Sequence, residues 1–195
     1  DYSILVTLKA DGTVEKKVIG SVVESCILDS ANEEEFTRLK EIFANPSLQM
    51  ASFTITEKGY SLVDGSGKLL ASVEEDFKGG PEQPSSYIGK VASLLYMRYR
   101  NTDKGIAMVS MDNCSHNGDK LYEAISAFVK EWGANGLVEA GFENYINDKA
   151  RVSFPWTMID KITPRPSEQI AADLEKLGVE SMQPVITSKK TYIAP

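Results

Sequence analysis

The sequence predicts an α/β fold, in which a mostly parallel sheet carries helices on both faces and a β-hairpin precedes it. From residue 29 onward, short apolar segments alternate with segments of helical periodicity. One apolar segment, residues 105–111, is nearly unbroken, which is typical of a central parallel strand covered on both faces. Residues 2–9 and 14–27 are strand-like and are joined by the tight-turn pair Asp11-Gly12, so they predict the hairpin.

The composition excludes several classes of protein. The chain has 195 residues, 42% of them hydrophobic, which suits one globular domain. The 21 Lys and Arg residues are outnumbered by 28 Asp and Glu residues, and the net charge of −7 disfavours a nucleic-acid partner, which normally meets a basic patch. No apolar run is long enough to span a membrane. Two cysteines and one histidine are too few for a disulfide framework or a structural zinc site, so we expect a cytoplasmic protein without a metal.

Helices are predicted where a capping residue precedes apolar residues at helical spacing. The three long ones run from an Asn32 cap to Asn45-Pro46, from a Ser85 or Ser86 cap to about Arg100, and from about Asn117 with Leu121, Ile125, Phe128 and Trp132 facing inward. A short helical segment is expected around residues 138–146, and a last helix from a Ser167 cap to Gly178.

Strands are predicted at residues 49–56, 105–111 and 150–154, and residues 182–194 are expected to be extended. Residues 59–84 are rich in glycine and proline and predict a surface excursion before the next helix. Within them, the string Gly65-Ser66-Gly67 lacks the third glycine of a dinucleotide fingerprint and no helical pattern follows it. We interpret that string as a turn.

Polar side chains follow the strand at residues 105–111 directly. In open α/β sheets, ligands bind in the crevice outside the carboxyl ends of the strands. An amide such as that of Asn113 can there donate a hydrogen bond to a carbonyl oxygen that gains charge. Asp112 could fix that amide or cap the next helix. The alternative is that Ser115 or Asn117 is the helix cap and the remainder is a connecting turn.

Charged side chains follow the other two strands. Glu57 and Lys58 come after the strand at residues 49–56, where they could meet a cofactor or sugar hydroxyls. Asp160 comes after the strand at residues 150–154 and would lie near the crevice if the strands are adjacent. Solvated charges in exposed turns are the alternative for all three residues.

Three of these segments together resemble the mannitol dehydrogenase family, the polyol-specific long-chain dehydrogenases that include mannitol dehydrogenases and fructuronate reductases. They are Thr-Glu-Lys-Gly-Tyr at 56–60, Met-Asp-Asn-Cys-Ser-His-Asn-Gly at 111–118, and the segment 153–164 with its two proline turns. The resemblance covers most of the chain, including Val18-Ile19-Gly20. It implies that residues 1–195 are the later part of an N-terminal Rossmann-type domain.

The resemblance also implies roles for individual residues. Asn113 is similar to the family's catalytic oxyanion residue, and Glu57 and Asp160 match acidic positions that bind substrate. Thr56, Lys58 and Asp112 are the candidates for contacts with the cofactor or with the residues that surround it.

The activity that the resemblance implies is metal-independent hydride transfer at C2 between a polyol and a ketose, of the mannitol and fructose type. NAD or NADP is the expected cofactor, and a small polyol or ketose is the expected partner. The family's glycine-rich turn is expected upstream of this chain. A helical C-terminal domain with the catalytic lysine is expected downstream, so the 195 residues alone are expected to be inactive.

Residues 135–149 are extra length relative to the shorter members, which suggests one of the longer bacterial versions. Two alternatives to the mannitol and fructose reaction stay open. One is reduction of a hexuronate such as fructuronate or tagaturonate. The other is a noncatalytic α/β module that binds a sugar or a protein.

Overall fold

An antiparallel hairpin forms near the start of the chain. The computed structural model describes residues 3–9, 11–159, 172–173, 175–178, 185–186 and 192–193. Strand β1 (Ser3–Leu8) pairs with β2 (Val14–Ile19), and the turn between them contains Gly12 at a φ of +82°, which glycine adopts without strain. The hairpin prediction is confirmed, but β2 is shorter than predicted because residues 20–29 carry neither helix nor strand.

Three parallel strands form the sheet of the α/β part. They are β3 (Met50–Phe53), β4 (Ile106–Ser110) and β5 (Val152–Ser153), in the order β3-β4-β5. Successive residues of a strand point to opposite faces of a sheet. In β4, Met108 and Val109 are both buried, so both faces of this strand are covered. The predicted central parallel strand is confirmed.

Six helices are present in the part of the α/β region that the structure describes. They are α1 (Glu33–Ala44), α2 (Thr56–Gly59), α3 (Ala71–Gly79), α4 (Tyr87–Asn101), α5 (Asn117–Ala134) and α6 (Gly141–Asn147). Two of the predicted caps are observed: the Asn32 side chain accepts from the Glu35 N–H at 3.3 Å, and the Ser86 side chain accepts from the Gly89 N–H at 3.2 Å. Each satisfies a backbone donor that the helix itself leaves unpaired.

The core lies between the sheet and helices α4 and α5. The predicted inward residues of α5 are completely buried: Leu121, Ile125, Phe128 and Trp132. The side chain of Arg98 in α4 is buried as well and donates hydrogen bonds to the backbone carbonyls of Phe43, Asn45, Leu48 and Gly105 at 2.8–3.0 Å. Arg98 therefore ties the loop between α1 and β3 to the start of β4.

The interpretation that no helix follows Gly65-Ser66-Gly67 is wrong, because α3 lies within the predicted excursion at residues 59–84. Leu70 precedes α3 and provides no side-chain cap, so the sequence carries no start signal. Tertiary contacts hold the helix instead. Val73 is buried, and the Asp76 carbonyl accepts a hydrogen bond from the Trp132 indole N–H at 2.8 Å.

The chain divides into two compact units, Cys26–Asp160 and the combination of Asp1–Ser25 with Lys161–Pro195. In the second unit, β6 (Val185–Ile186) pairs antiparallel with β7 (Tyr192–Ile193), which agrees with the extended segment predicted there. Much of the last predicted helix, including its Ser167 cap, lies outside the described residues. Among the described residues, no helix is long and apolar enough to cross a membrane.

Candidate active site

The Asp112 side chain connects the carboxyl ends of β3 and β4. Its two carboxylate oxygens accept hydrogen bonds from the backbone N–H groups of Ile55, at 2.9 Å, and Thr56, at 2.8 Å. The Tyr60 hydroxyl donates to the same carboxylate at 2.5 Å and lies 2.6 Å from the Ser110 hydroxyl oxygen. Asp112 is 7% exposed. The Asp112 carboxylate thus caps the first turn of α2. From the sequence it was expected to fix the Asn113 amide or to cap the next helix.

The hydrogen bonds also set the ionisation of this group. Burial acts to raise the pKa of Asp112, but the donors from Ile55, Tyr60 and Thr56 stabilise its charged form and hold its pKa below the ordinary value. Burial and the bond to Asp112 raise the pKa of Tyr60. An ionised carboxylate and a protonated phenol therefore face each other at neutral pH.

Thr56 adopts an unusual backbone conformation at this point. Its φ is +64°, in the left-handed region that a β-branched residue rarely occupies. The Asp112 carboxylate accepts from the Thr56 N–H itself and from the preceding N–H. We attribute the persistence of this strained conformation to that double contact.

The Asn117 side chain connects the ends of β4 and β5. Its Nδ2 lies 3.2 Å from the Asp112 carbonyl oxygen and 2.7 Å from the Thr157 hydroxyl oxygen, and its Oδ1 accepts from the Thr157 N–H at 3.0 Å. The Thr157 hydroxyl donates in turn to the Ser110 carbonyl at 2.5 Å. Asn117 is buried. The predicted cap at Ser115 or Asn117 is wrong, because His116 occupies the cap position without a side-chain hydrogen bond.

The first turn of α5 lies directly against the segment after β5. A Cβ atom on Gly118 would lie 2.5 Å from the Phe154 carbonyl oxygen and 2.7 Å from the Pro155 carbonyl oxygen, so only glycine fits. On the outer side, the His116 ring lies against the Trp156 indole with centroids 4.3 Å apart. His116 has a φ of +52°, and Trp156 is 61% exposed.

A cleft of about 390 Å³ opens between the segments that follow β4 and β5. Asn113 lies on its rim and is exposed. The cleft is lined by residues 112–117 and 156–159. The structure thus places Asn113 in a cavity at the carboxyl end of the sheet, where α/β proteins bind ligands.

The Glu57 side chain lies in a different cleft. It pairs with Lys120 of α5, which lowers the pKa of Glu57 and raises that of Lys120. Both residues line a cavity of about 400 Å³ together with Tyr60. Glu57 and Asn113 therefore line separate cavities. Lys58 is exposed in α2.

Asp160, the second acidic candidate, lies outside the described residues. Among the described residues, no group of three or more His, Cys, Asp or Glu side chains is arranged to hold a metal ion.

Tyr60 and Thr157 are the site residues that sequence reasoning missed. Tyr60 meets its partner Asp112 across 52 positions, and Thr157 meets Asn117 across 40 positions. No local pattern marks either contact. The signal that could have found them is the predicted adjacency of the three strand ends, which brings polar residues just beyond each strand into one network.

Comparison with known proteins identifies the family. Residues 1–191 match the model of the mannitol dehydrogenase Rossmann domain. The chain is 51% identical over 195 residues to D-mannonate oxidoreductase from Thermotoga maritima, covering 100% of this chain and 36% of that protein. It is 28% identical over 183 residues to mannitol 2-dehydrogenase from Pyrenophora tritici-repentis, covering 91% of this chain and 30% of that protein. The chain thus spans about a third of the length of these curated relatives.

Solved structures agree with that match. Mannitol 2-dehydrogenase from Pseudomonas fluorescens, in a ternary complex with NAD and D-mannitol, aligns with a TM-score of 0.62 and 29% identity, over 90% of this chain and 34% of that chain. D-Sorbitol dehydrogenase in substrate-free form aligns with a TM-score of 0.63 and 27% identity, over the same shares. The chain therefore belongs to the mannitol dehydrogenase family and corresponds to its Rossmann domain.

Proposed function

We propose that the protein containing this chain is a nicotinamide-dependent oxidoreductase that interconverts a sugar acid of the D-mannonate type and the corresponding keto acid. The observation that carries the proposal is the 51% identity to D-mannonate oxidoreductase along the complete chain. Identity to mannitol 2-dehydrogenase is 28%. The hexuronate alternative of the sequence analysis thereby becomes the first candidate.

Interconversion of mannitol and fructose is the second candidate. It is favoured by the structural similarity to an enzyme whose complex contains NAD and D-mannitol. In both candidates the reacting carbon carries a secondary hydroxyl group, so the same arrangement of the Rossmann domain serves either substrate.

The donor set of the Asn113 cleft fits the nicotinamide end of the cofactor. Among the described residues, the cleft is lined by amide, hydroxyl, thiol and imidazole groups, by the Asp112 carboxylate and by the exposed Trp156 indole, with no Lys or Arg. Amide and hydroxyl groups suit a carboxamide and ribose hydroxyls, whereas a pyrophosphate is normally bound by a helix N-terminus or a glycine-rich turn. Asn113 and Ser115 are two of the exposed polar residues that line the cleft and would contact this end.

Asn113 is the residue of this chain that we assign to the reacting atoms. When bound, the nicotinamide accepts the hydride from the carbon that carries the secondary hydroxyl. The hydroxyl proton leaves to a base, which we place on the lysine expected in a further domain. The Asn113 amide N–H then donates a hydrogen bond to the oxygen as it becomes a carbonyl. A preorganised donor of this kind is worth about 100- to 1000-fold in kcat.

Glu57 remains our candidate for a substrate contact, and Thr56 and Lys58 remain candidates for cofactor contacts. Asp160 keeps its proposed substrate role on the basis of the resemblance. For Glu57 too the role rests on the resemblance, since its carboxylate pairs with Lys120 in a cavity separate from the Asn113 cleft.

The test is a substrate panel with the intact protein. D-Mannonate and D-mannitol are each assayed with NAD⁺ and with NADP⁺. We expect kcat/KM for D-mannonate to exceed that for D-mannitol by about 100-fold or more, because a site built for a carboxylate rejects a ligand that leaves its polar groups unpaired. Preference for D-mannitol would replace the first candidate by the second. Turnover of neither would favour the noncatalytic module. The 195 residues alone are expected to give no turnover.

The role of Asn113 is tested in the same assay. Asn113→Ala is expected to lower kcat by about 100-fold or more while the protein stays folded. Asn144→Ala, which removes an exposed amide on α6, is the matched control and is expected to leave kcat unchanged. Equal activity of the two variants would remove Asn113 from the reaction.

A further inference from the structure

We propose that Asp112 is a positioning residue, which Tyr60 holds in place so that the adjacent Asn113 meets the reacting oxygen. This inference rests on the proposed role of Asn113. Of the two roles that the resemblance implies for Asp112, a direct cofactor contact or a contact with the surrounding residues, it assigns the second.

The Asp112 carboxylate is already hydrogen-bonded to groups of the protein itself. It accepts three hydrogen bonds, from Ile55, Thr56 and Tyr60, and a carboxylate offers about four acceptor positions. The residue is 7% exposed. Little of this group is left for a cofactor, and its partners all lie on the β3 side of the network.

The backbone of Asp112 is held by a hydrogen bond as well. Its carbonyl oxygen lies 3.2 Å from Nδ2 of Asn117, which is itself bonded to Thr157. Asp112 is thus held toward β3 by its side chain and toward β5 by its main chain. Consecutive Cα atoms are about 3.8 Å apart, so a shift of Asp112 is transmitted directly to Asn113.

Asp112 and the adjacent Asn113 differ in their exposure to solvent. Asp112 is buried and held from two sides, whereas Asn113 is exposed on the cleft rim. An exposed residue therefore directly follows an anchored one. A misplacement of about 1 Å at a reacting group can cost about 100-fold in rate, which explains why such an anchor matters.

The test is a double-mutant cycle in the intact protein between Tyr60→Phe and Asn113→Ala. Tyr60→Phe removes one hydrogen bond to Asp112 and keeps the ring. We expect it to lower kcat by about 10-fold and to change KM for substrate and cofactor by less than about 2-fold. In the Asn113→Ala background, the same change is expected to lower kcat by less than about 2-fold, because the group that it positions is gone.

Tyr96→Phe is the matched control. Tyr96 is as buried as Tyr60, at 6% exposure each, and its hydroxyl donates to the Glu139 carboxylate away from the strand ends. It therefore reports the effect on folding of losing a hydrogen bond from a buried tyrosine to a carboxylate, here that of the exposed Glu139. We expect it to leave kcat unchanged. Ser110→Ala, which removes the hydroxyl oxygen 2.6 Å from the Tyr60 hydroxyl, is the milder second variant if Tyr60→Phe folds poorly, with an expected loss of about 3-fold in kcat.

Each result either supports or overturns the positioning role of Asp112. Equal effects of Tyr60→Phe and Tyr96→Phe, or a Tyr60→Phe effect that adds fully to that of Asn113→Ala, would overturn the positioning role while leaving Asn113 in the reaction. If Ser110→Ala is the variant used, its effect must likewise disappear in the Asn113→Ala background. An unchanged kcat in the Asn113→Ala single variant would show that the proposed role of Asn113 itself fails, and the positioning role with it.

Discussion

Thr56 carries strain that a single substitution can relieve. Its φ of +64° costs an L-residue about 1–2 kcal/mol, and glycine adopts this conformation freely. We expect Thr56→Gly to be more stable than the control Thr54→Gly by about 1–2 kcal/mol, because Thr54 is exposed just after β3 and has no positive φ. The measurement is the free energy of unfolding of both variants by chemical denaturation. A control that is as stable as Thr56→Gly would show that position 56 holds no strain.

At the scale of single residues, the positions of Asn113 and Asp112 at the strand end could be predicted from the sequence, but their contacts could not. Asn113 was predicted at the crevice because it follows the most apolar strand, and the structure places it on the rim of a cleft there. Asp112 was expected to act locally, whereas it bonds to Ile55 and Thr56 across 57 and 56 positions. A carboxylate carries no sequence signal for a partner that only the pairing of two strands brings near.

Helix α5 depends on a glycine in its first turn and tolerates an alanine in its last turn. Gly118→Ala would place a Cβ 2.5 Å from the Phe154 carbonyl oxygen, and overpacking of this kind costs about 1–3 kcal/mol. Gly133 lies in the last turn of the same helix and a Cβ there meets no atom within 4 Å. Gly133→Ala is therefore expected to stabilise the protein by up to about 1 kcal/mol through helix propensity.

Thermal unfolding of these two variants beside the wild type measures the difference. Opposite signs of the two shifts in Tm are expected. A Gly118→Ala variant as stable as Gly133→Ala would mean that α5 and the segment after β5 are not in the close contact described above.

Helices were predictable where their own residues announce them. Asn32 and Ser86 cap α1 and α4, and both side chains accept the bonds that their capping role requires. Helix α3 begins after Leu70 without such a cap, and it is held by packing of Val73 and by the Trp132 bond to the Asp76 carbonyl. These contacts come from α5, far along the chain, so no local pattern could indicate them.

At the scale of the whole molecule, the acidic side chains that the structure describes include exposed carboxylates and buried, hydrogen-bonded ones such as Asp112. Glu74 is exposed, and its pKa is lowered by its ion pair with Lys78. Such pairs are weakened by salt. Asp112 is buried, and its pKa is lowered by hydrogen bonds within the protein, which salt screens much less.

The acid side of the stability curve should therefore report on Asp112. Its pKa is lower in the folded protein than the value of about 3.9 in the unfolded chain, so the unfolded state takes up the proton first as the pH falls. The stabilisation that the ionised Asp112 carboxylate gives the folded protein is fully present above about pH 5. It is lost as the pH falls through about 3.9 toward the pKa of Asp112 in the folded protein. We expect Asp112→Asn to be less stable than the wild type at pH 7, and the difference to narrow below about pH 4. Glu74→Gln changes the net charge equally, and its smaller effect is expected to vanish at about 0.5 M NaCl. Unfolding free energies at pH 3 to 7, at low and high salt, measure both. If the difference between Asp112→Asn and the wild type stays constant over this range, the ionised carboxylate does not hold the strand ends together.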